Sequence, residues 1–235
     1  MITHHLSDKL LMAYSSGTLP EAFNLAVATH IAMCDECRAR LASFDAIGGA
    51  VLERAEDTAA PMSHETLLAT LSRIKDQGPR EQAAQSGRAT QEGWTLPEPL
   101  RSYVGGDVQD VKWRNVGGGV RQAVIPTSEN ATARLLYIPA GKAVPDHGHH
   151  GMELTLVLQG AFADEEDCFS RGDIEIADEG TEHQPIAQAG ADCICLAVTD
   201  APLKFRGLLP RLAQPFLGIR YRSRQPMSVH ATSHS

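Results

Sequence analysis

Positive charge is scarce in this chain. Its 235 residues carry 21 Lys and Arg against 29 Asp and Glu, a formal net charge of -8 with a sequence pI near 5.7. Wholesale binding to nucleic acid, which needs cations to displace phosphate counterions, is therefore not expected. Long apolar runs are also missing, and none approaches the ~20 residues a membrane helix requires. The start, Met1 to Leu11, has no basic region followed by an apolar run, so no secretory signal is expected. Cysteine is sparse: five residues, odd in number and unevenly placed, do not make a secreted disulfide framework. These absences predict a cytoplasmic protein. What is present is enough hydrophobic residue, 43%, for a packed core, and ten histidines.

Organisation changes along the chain. Up to about residue 75 the apolar positions recur at helical spacing. Leu10, Leu11 and Tyr14 follow Ser7, a good N-cap, and Gly17 marks a stop. Pro20 suits the first turn of a second helix bearing Phe23, Val27 and Ile31. Leu41, Phe44, Ile47, Val51 and Leu52 continue the pattern, and a fourth segment from Ser63 carries Leu67, Leu68, Leu71 and Ile74. Residues 1–75 thus read as an all-α bundle too small to bury much surface alone. Residues 76–93, with almost no large apolar side chain, read as a linker.

From Trp94 the texture is β: short Val-, Ile- and Leu-rich runs at 120–125, 133–138, 153–158, 173–177 and 193–198, bounded by Gly, Pro and Asp. Their spacing predicts an antiparallel sandwich or barrel over 94–206. Gly117, Gly118 and Gly119 lack a following Lys-Ser/Thr and a helix, and read as a hairpin loop rather than a phosphate cradle. Residues 207–235 form a C-terminal segment. From Ala201 onward there are six basic residues and no acid, and the tail reads as solvated and disordered.

Two groups of ligand-type residues stand out. In the first, His30, Cys34 and Cys37 fall at the end of the second predicted helix; residues four apart share a helical face, so His30 and Cys34 can meet one ion. Thiolate and imidazole suit tetrahedral Zn2+, and in a reducing compartment paired cysteines hold metal more readily than a disulfide. The fourth ligand would come from His4 or His5, the nearest spare imidazoles, and spacing does not choose between them.

In the second group, His147 and His149, two apart on a strand, share one face, and Glu153 can return to it if residues 150–152 bend or extend. A fourth ligand must come from another strand, and His183 is the only later histidine before the tail. Three imidazoles and a carboxylate suit Zn2+ or another divalent transition metal without selecting one. Cys193 and Cys195 alternate on an apolar strand and face one way, either as small buried hydrophobes or as an oxidisable pair near the metal. His150 is out of register, His64 reads as surface, and Cys168 has only Arg171 to lower its pKa.

These patterns resemble known families. Gly141-x5-His147-x-His149-x3-Glu153-x6-Gly160 matches the first cupin motif, and Gly172, Gly180 and His183 match the second in part. Asp178 stands where that motif has proline and Ala187 where it has asparagine, which bears on turn geometry rather than on the ligands. His30-x3-Cys34-x2-Cys37 after His4-His5-Leu6-Ser7-Asp8 is similar to the zinc-binding anti-sigma domain, whose pattern selects His5 as the fourth ligand. Both motifs in this order, with the stretches 16–25, 117–123, 144–149 and 154–160, resemble ChrR-like anti-sigma factors over nearly the whole chain. The resemblance implies a two-domain, non-enzymatic regulator: an all-α zinc-bound N-terminal bundle that sequesters an extracytoplasmic-function-type RNA polymerase sigma factor, and an all-β cupin jelly roll. It further implies that the cupin half responds to oxidative stress, typically singlet oxygen or organic peroxide, and frees the sigma factor.

Read from residues alone, the sequence reaches only two metal-binding halves. A cupin dioxygenase or isomerase with an accessory zinc module is the rival, since an open metal position can also activate oxygen or polarise a carbonyl. A repressor that binds DNA through the basic tail is a third reading, opposed by the acidic body.

Overall fold

The computed structural model describes residues 1–54, 62–76, 93–201 and 203–205. Most of the predicted linker and the whole predicted tail lie outside these residues.

Four helices come first: α1 (Asp8–Ser15), α2 (Glu21–Met33), α3 (Asp35–Glu53) and α4 (His64–Asp76). Ser7 caps α1 by accepting the Leu10 N–H, and Gly17 follows the helix at φ +68°, a left-handed conformation that favours glycine. Pro20 stands at the N-cap of α2, where a missing N–H costs nothing. Cys34 separates α2 from α3. Its backbone is extended, and its sulfur accepts from the Cys37 N–H, so a candidate metal ligand is also the N-cap of the next helix.

A short helix, α5 (Leu100–Val104), leads into twelve strands: β1 (Arg114–Gly117), β2 (Val120–Ile125), β3 (Thr132–Ile138), β4 (His147–His149), β5 (Glu153–Gln159), β6 (Ala161–Ala163), β7 (Cys168–Ser170), β8 (Ile174–Ala177), β9 (Glu182–His183), β10 (Ile186–Ala187), β11 (Cys193–Thr199) and β12 (Leu203–Phe205). The main sheet runs β1-β2-β3-β11-β5-β8, and the shorter sheets run β10-β6-β7 and β12-β4-β9. All pairings are antiparallel. Gly117–Gly119 form the turn of the β1–β2 hairpin, all three at positive φ.

The central strands of the main sheet, β3, β11 and β5, are buried on both faces. Val120, Ile138, Val157, Phe162, Cys193 and Cys195 form one apolar cluster on the barrel side. Ala133, Leu135, Leu154, Leu156, Leu158, Ile194, Leu196 and Val198 form the other, continuous with Leu10, Leu11, Phe23, Leu25 and Val27 of the helices. The first six residues of β5 are therefore all buried, the polar Glu153 and Thr155 included.

The helices do not pack alone, in keeping with a bundle too small to bury much surface by itself. Helix α2 lies on the outer face of the sheet, against β11, β5 and β3. It buries Ala22, Phe23, Leu25, Ala26, Val27, Thr29 and His30, more than one stripe, because α1 and α3 cover it from the other side. The two halves thereby share one hydrophobic core. The far end of α3 and all of α4 do the opposite: Ile47 (62%), Val51 and Leu52, and Leu67, Leu68 (53%), Leu71 and Ile74, are exposed.

Candidate metal centres

The first centre gathers where α2 ends. His30 lies in the last turn of α2, Cys34 in the break, Cys37 in the first turn of α3, and His5 on the segment that enters α1. The four donor atoms lie within 4.8 Å of one another. His30 Nε2 stands 3.3 Å from Cys37 Sγ, and His5 Nδ1 stands 3.3 Å from Cys34 Sγ and 3.7 Å from Cys37 Sγ. Bond lengths of ~2.0–2.1 Å to nitrogen and ~2.3 Å to sulfur at tetrahedral angles require N···S separations of about 3.6 Å, so the cage has the dimensions of a zinc site. His5 Nε2 faces Glu36 Oε2 at 3.3 Å, which places the ring proton there and leaves Nδ1 free to ligate.

The electrostatics agree with a cation site. Burial pulls His30 down to about 4, so its imidazole is neutral and its lone pair is available. Burial pushes the Cys37 thiol up to about 11, a group that ionises only with help from a cation. His4, the alternative that spacing left open, points elsewhere: its Nε2 is 3.0 Å from Asp167 Oδ2.

The second centre lies inside the barrel. His147 and His149 project from one face of β4, with Gly148 between them packed on Glu182. Strand β9 pairs with β4 so that His183 is directly opposite His147. Glu153, the first residue of β5, completes a set whose members are all buried. His183 Nε2 is 3.3 Å from both His149 Nε2 and His147 Nε2, so three ring nitrogens converge on one point. The bend foreseen before Glu153 occurs at Gly151, where an added Cβ would strike Asp200, and Asp200 Oδ1 accepts from the Met152 N–H at 2.9 Å.

The outer nitrogens set the tautomers. His147 Nδ1 bonds the Pro145 carbonyl at 2.9 Å, and His183 Nδ1 bonds Glu175 Oε1 at 2.7 Å, each leaving Nε2 for a metal. Burial lowers His147, and it lowers His149 to about 4. Burial also opposes charge on His183, but the bond to Glu175 and the charges of Glu175 and Glu153 lift it to about 9. This donor set fits a divalent transition metal, as the zinc-sized cage fits zinc.

The departures from the second cupin motif have a structural answer at Asp178. Its Oδ1 accepts from the Gly180 N–H at 2.9 Å and its carbonyl from Thr181, an Asx-type turn in place of a proline. Cys193 and Cys195 are buried on β11 with their sulfurs 3.4 Å apart, and contact with Cys193 together with burial raises the Cys195 thiol well above its ordinary value. Cys168, His150 and His64 are exposed. Glu175 and Asp164, the carboxylates behind His183, escaped the sequence reading, as did Asp173. The signal available for Glu175 was its position two residues after Asp173 in an alternating run.

Residues 102–202 match a family described as the ChrR cupin-like domain. Over 218 residues the chain is 55% identical to the anti-sigma-E factor ChrR of Cereibacter sphaeroides, covering 93% of this chain and 99% of that protein. The chain belongs to the ChrR family of anti-sigma factors. A solved structure of Rhodobacter sphaeroides SigE in complex with the anti-sigma ChrR aligns at a TM-score of 0.71 and 54% identity, over 85% of this chain and all of the matched chain. Kinship with the ChrR family therefore extends well beyond the barrel alone.

Proposed function

We propose that this protein binds and inhibits an extracytoplasmic-function-type RNA polymerase sigma factor in the cytoplasm, acting by contact rather than by catalysis. The observation that carries this reading is the similarity to an anti-sigma factor over 93% of the chain. The physical support is the apolar surface left open on the far end of α3 and along α4. Leu67, Leu68, Leu71 and Ile74 recur at helical spacing with no covering element among the described residues, as a helix does when its core is supplied by a partner. No helix among the described residues is long and apolar enough to cross a membrane.

In this reading His5, His30, Cys34 and Cys37 fix the angle between α2 and α3 and so aim the far end of α3 at the sigma factor. A zinc ion held there supplies a tetrahedral crosslink, which short helices with little core of their own gain most from. His147, His149, Glu153 and His183 form the sensing centre, and release follows oxidative damage by singlet oxygen or organic peroxide at that centre or at the neighbouring thiols Cys193 and Cys195. The acidic body is suited to a basic, DNA-binding partner in place of DNA.

The test is reconstitution of the full chain with an extracytoplasmic-function sigma factor from its own cells. A stable complex and loss of sigma-dependent transcription in vitro are expected, with transcription restored by an organic hydroperoxide or photosensitised singlet oxygen. Failure to bind any such sigma factor would overturn the proposal. Binding without oxidant-triggered release would remove the sensing half alone.

A further inference from the structure

The segment Ile2–His5 enters the first metal centre from the barrel, not from the helices. It is held by Asp173, which stands in the turn between β7 and β8 and is only 2% exposed. Asp173 Oδ1 accepts from the Thr3 N–H at 2.7 Å, the His4 N–H at 2.9 Å and the Thr3 hydroxyl at 3.3 Å, while Oδ2 accepts from the Ser170 N–H at 2.8 Å. The Ile174 N–H donates to the His4 carbonyl at 3.3 Å, and the His4 ring packs on Phe169 with centroids 4.4 Å apart. Beside them Ile2 fills the space over Gly172, whose missing side chain permits that contact. One buried carboxylate thus ties down the two residues immediately before His5.

We propose that Asp173, a residue of the barrel, is a positioning residue for the His5, His30, Cys34 and Cys37 centre, holding the N-terminal segment in the one register that aims His5 Nδ1 at the two cysteine sulfurs. The other three donors come from α2, the break after it and α3, and are fixed by helix geometry. His5 precedes its helix and has no such constraint; the anchor on one side and buried Leu6 on the other supply it. The hydrogen bonds are charge-assisted and their acceptor is buried, which strengthens them over the same bonds in open water. Two residues beyond Asp173, on β8, Glu175 holds His183 of the second centre. Strand β8 and the turn that leads into it therefore support a candidate ligand of each centre.

The inference rests on the reading of the first centre as a metal site, and the two can fail separately. The full-length chain is loaded with Co2+, whose thiolate charge-transfer absorption reports only the cysteine-bearing centre, and transfer to a competing chelator is followed. In Asp173→Ala the loss of Co2+ from the thiolate centre is expected to quicken roughly ten- to hundredfold, the range typical for removing a ligand's supporting partner. Asp173→Asn, which keeps one oxygen for both amides, is expected to release more slowly than Asp173→Ala. Thr3→Pro removes one of the two backbone donors without touching the barrel and is expected to quicken release at least about fivefold. Release at the wild-type rate from folded Asp173→Ala overturns the proposal, and if that variant does not fold, wild-type release from Thr3→Pro overturns it. Absence of thiolate absorption in the wild-type chain would instead overturn the metal reading itself.

Discussion

The bond between Glu175 and His183 offers a quantitative test of the barrel centre. His183 Nδ1 and Glu175 Oε1 are 2.7 Å apart and both residues are buried, so the bond is short, charge-assisted and shielded from water. Hydrogen bonds to charged groups contribute about 1.5–3 kcal/mol, which at 1.4 kcal/mol per tenfold corresponds to roughly 10- to 150-fold in affinity. Glu175→Ala removes the acceptor and frees the ring to rotate away from His147 and His149, so zinc affinity at this centre should fall by about that factor. Glu175→Gln keeps an acceptor without the charge, and since charge roughly doubles such a bond its loss should be about half as large in free energy. Asp164 Oδ2, 3.4 Å from the same nitrogen, is placed to accept part of the bond, so Asp164→Ala combined with Glu175→Ala should reach the upper end of the range. The assay is competition for Zn2+ between the metal-stripped full chain and a chromophoric chelator, with the thiolate absorption of Co2+ at the other centre as an internal control. A Glu175→Ala protein that binds within twofold of wild type would refute the assignment of Glu175 as the group that orients His183.

Three further outcomes follow from the same geometry. Cys37→Ser should cost the first centre its metal and, on the proposed function, abolish sigma binding, measured by metal analysis and pull-down on one sample. Leu68→Asp with Ile74→Asp on α4 should weaken sigma binding by at least about tenfold; because both side chains are exposed, the stability of the free chain should change by no more than ~0.5 kcal/mol per site in denaturant titration. His147→Ala should leave sigma binding intact while removing oxidant-triggered release in a transcription assay, and simultaneous loss of binding would contradict the division of labour between the two centres.

The helices and most strands were legible because their signals are local. Ser7 with Leu10 and Leu11 marks a helix start in a few residues, and the runs at 120–125 and 153–158 coincide with β2 and most of β5. The docking of α2 on the sheet was not legible, although its cause was visible. Ala22, Phe23, Leu25, Ala26 and Val27 crowd more than one helical face, which is what a helix covered from two sides requires. That excess fits the centre of a bundle as well as a helix docked on a sheet until the two surfaces are seen to meet.

The metal centres divide in the same way, and the division has a chemical origin. A metal gathers donors over a few ångströms, so the cheapest sources are residues two, three or four apart on one strand, turn or helix, such as His147 with His149, or His30 with Cys34 and Cys37. Such spacings survive as sequence patterns. The groups that orient the ligands obey no spacing rule: Glu175 reaches His183 across eight residues, and Asp173 reaches His4 across 169. They also look ordinary in the sequence, because an acid in a β run reads as a solvent-facing position, whereas Asp173 and Glu175 are both buried. A buried acid is costly unless several donors meet it, and Asp173 meets three backbone N–H groups and a hydroxyl. Its burial is therefore stable only while the N-terminal segment stays in place, and conversely that segment is fixed only while Asp173 is there to receive it.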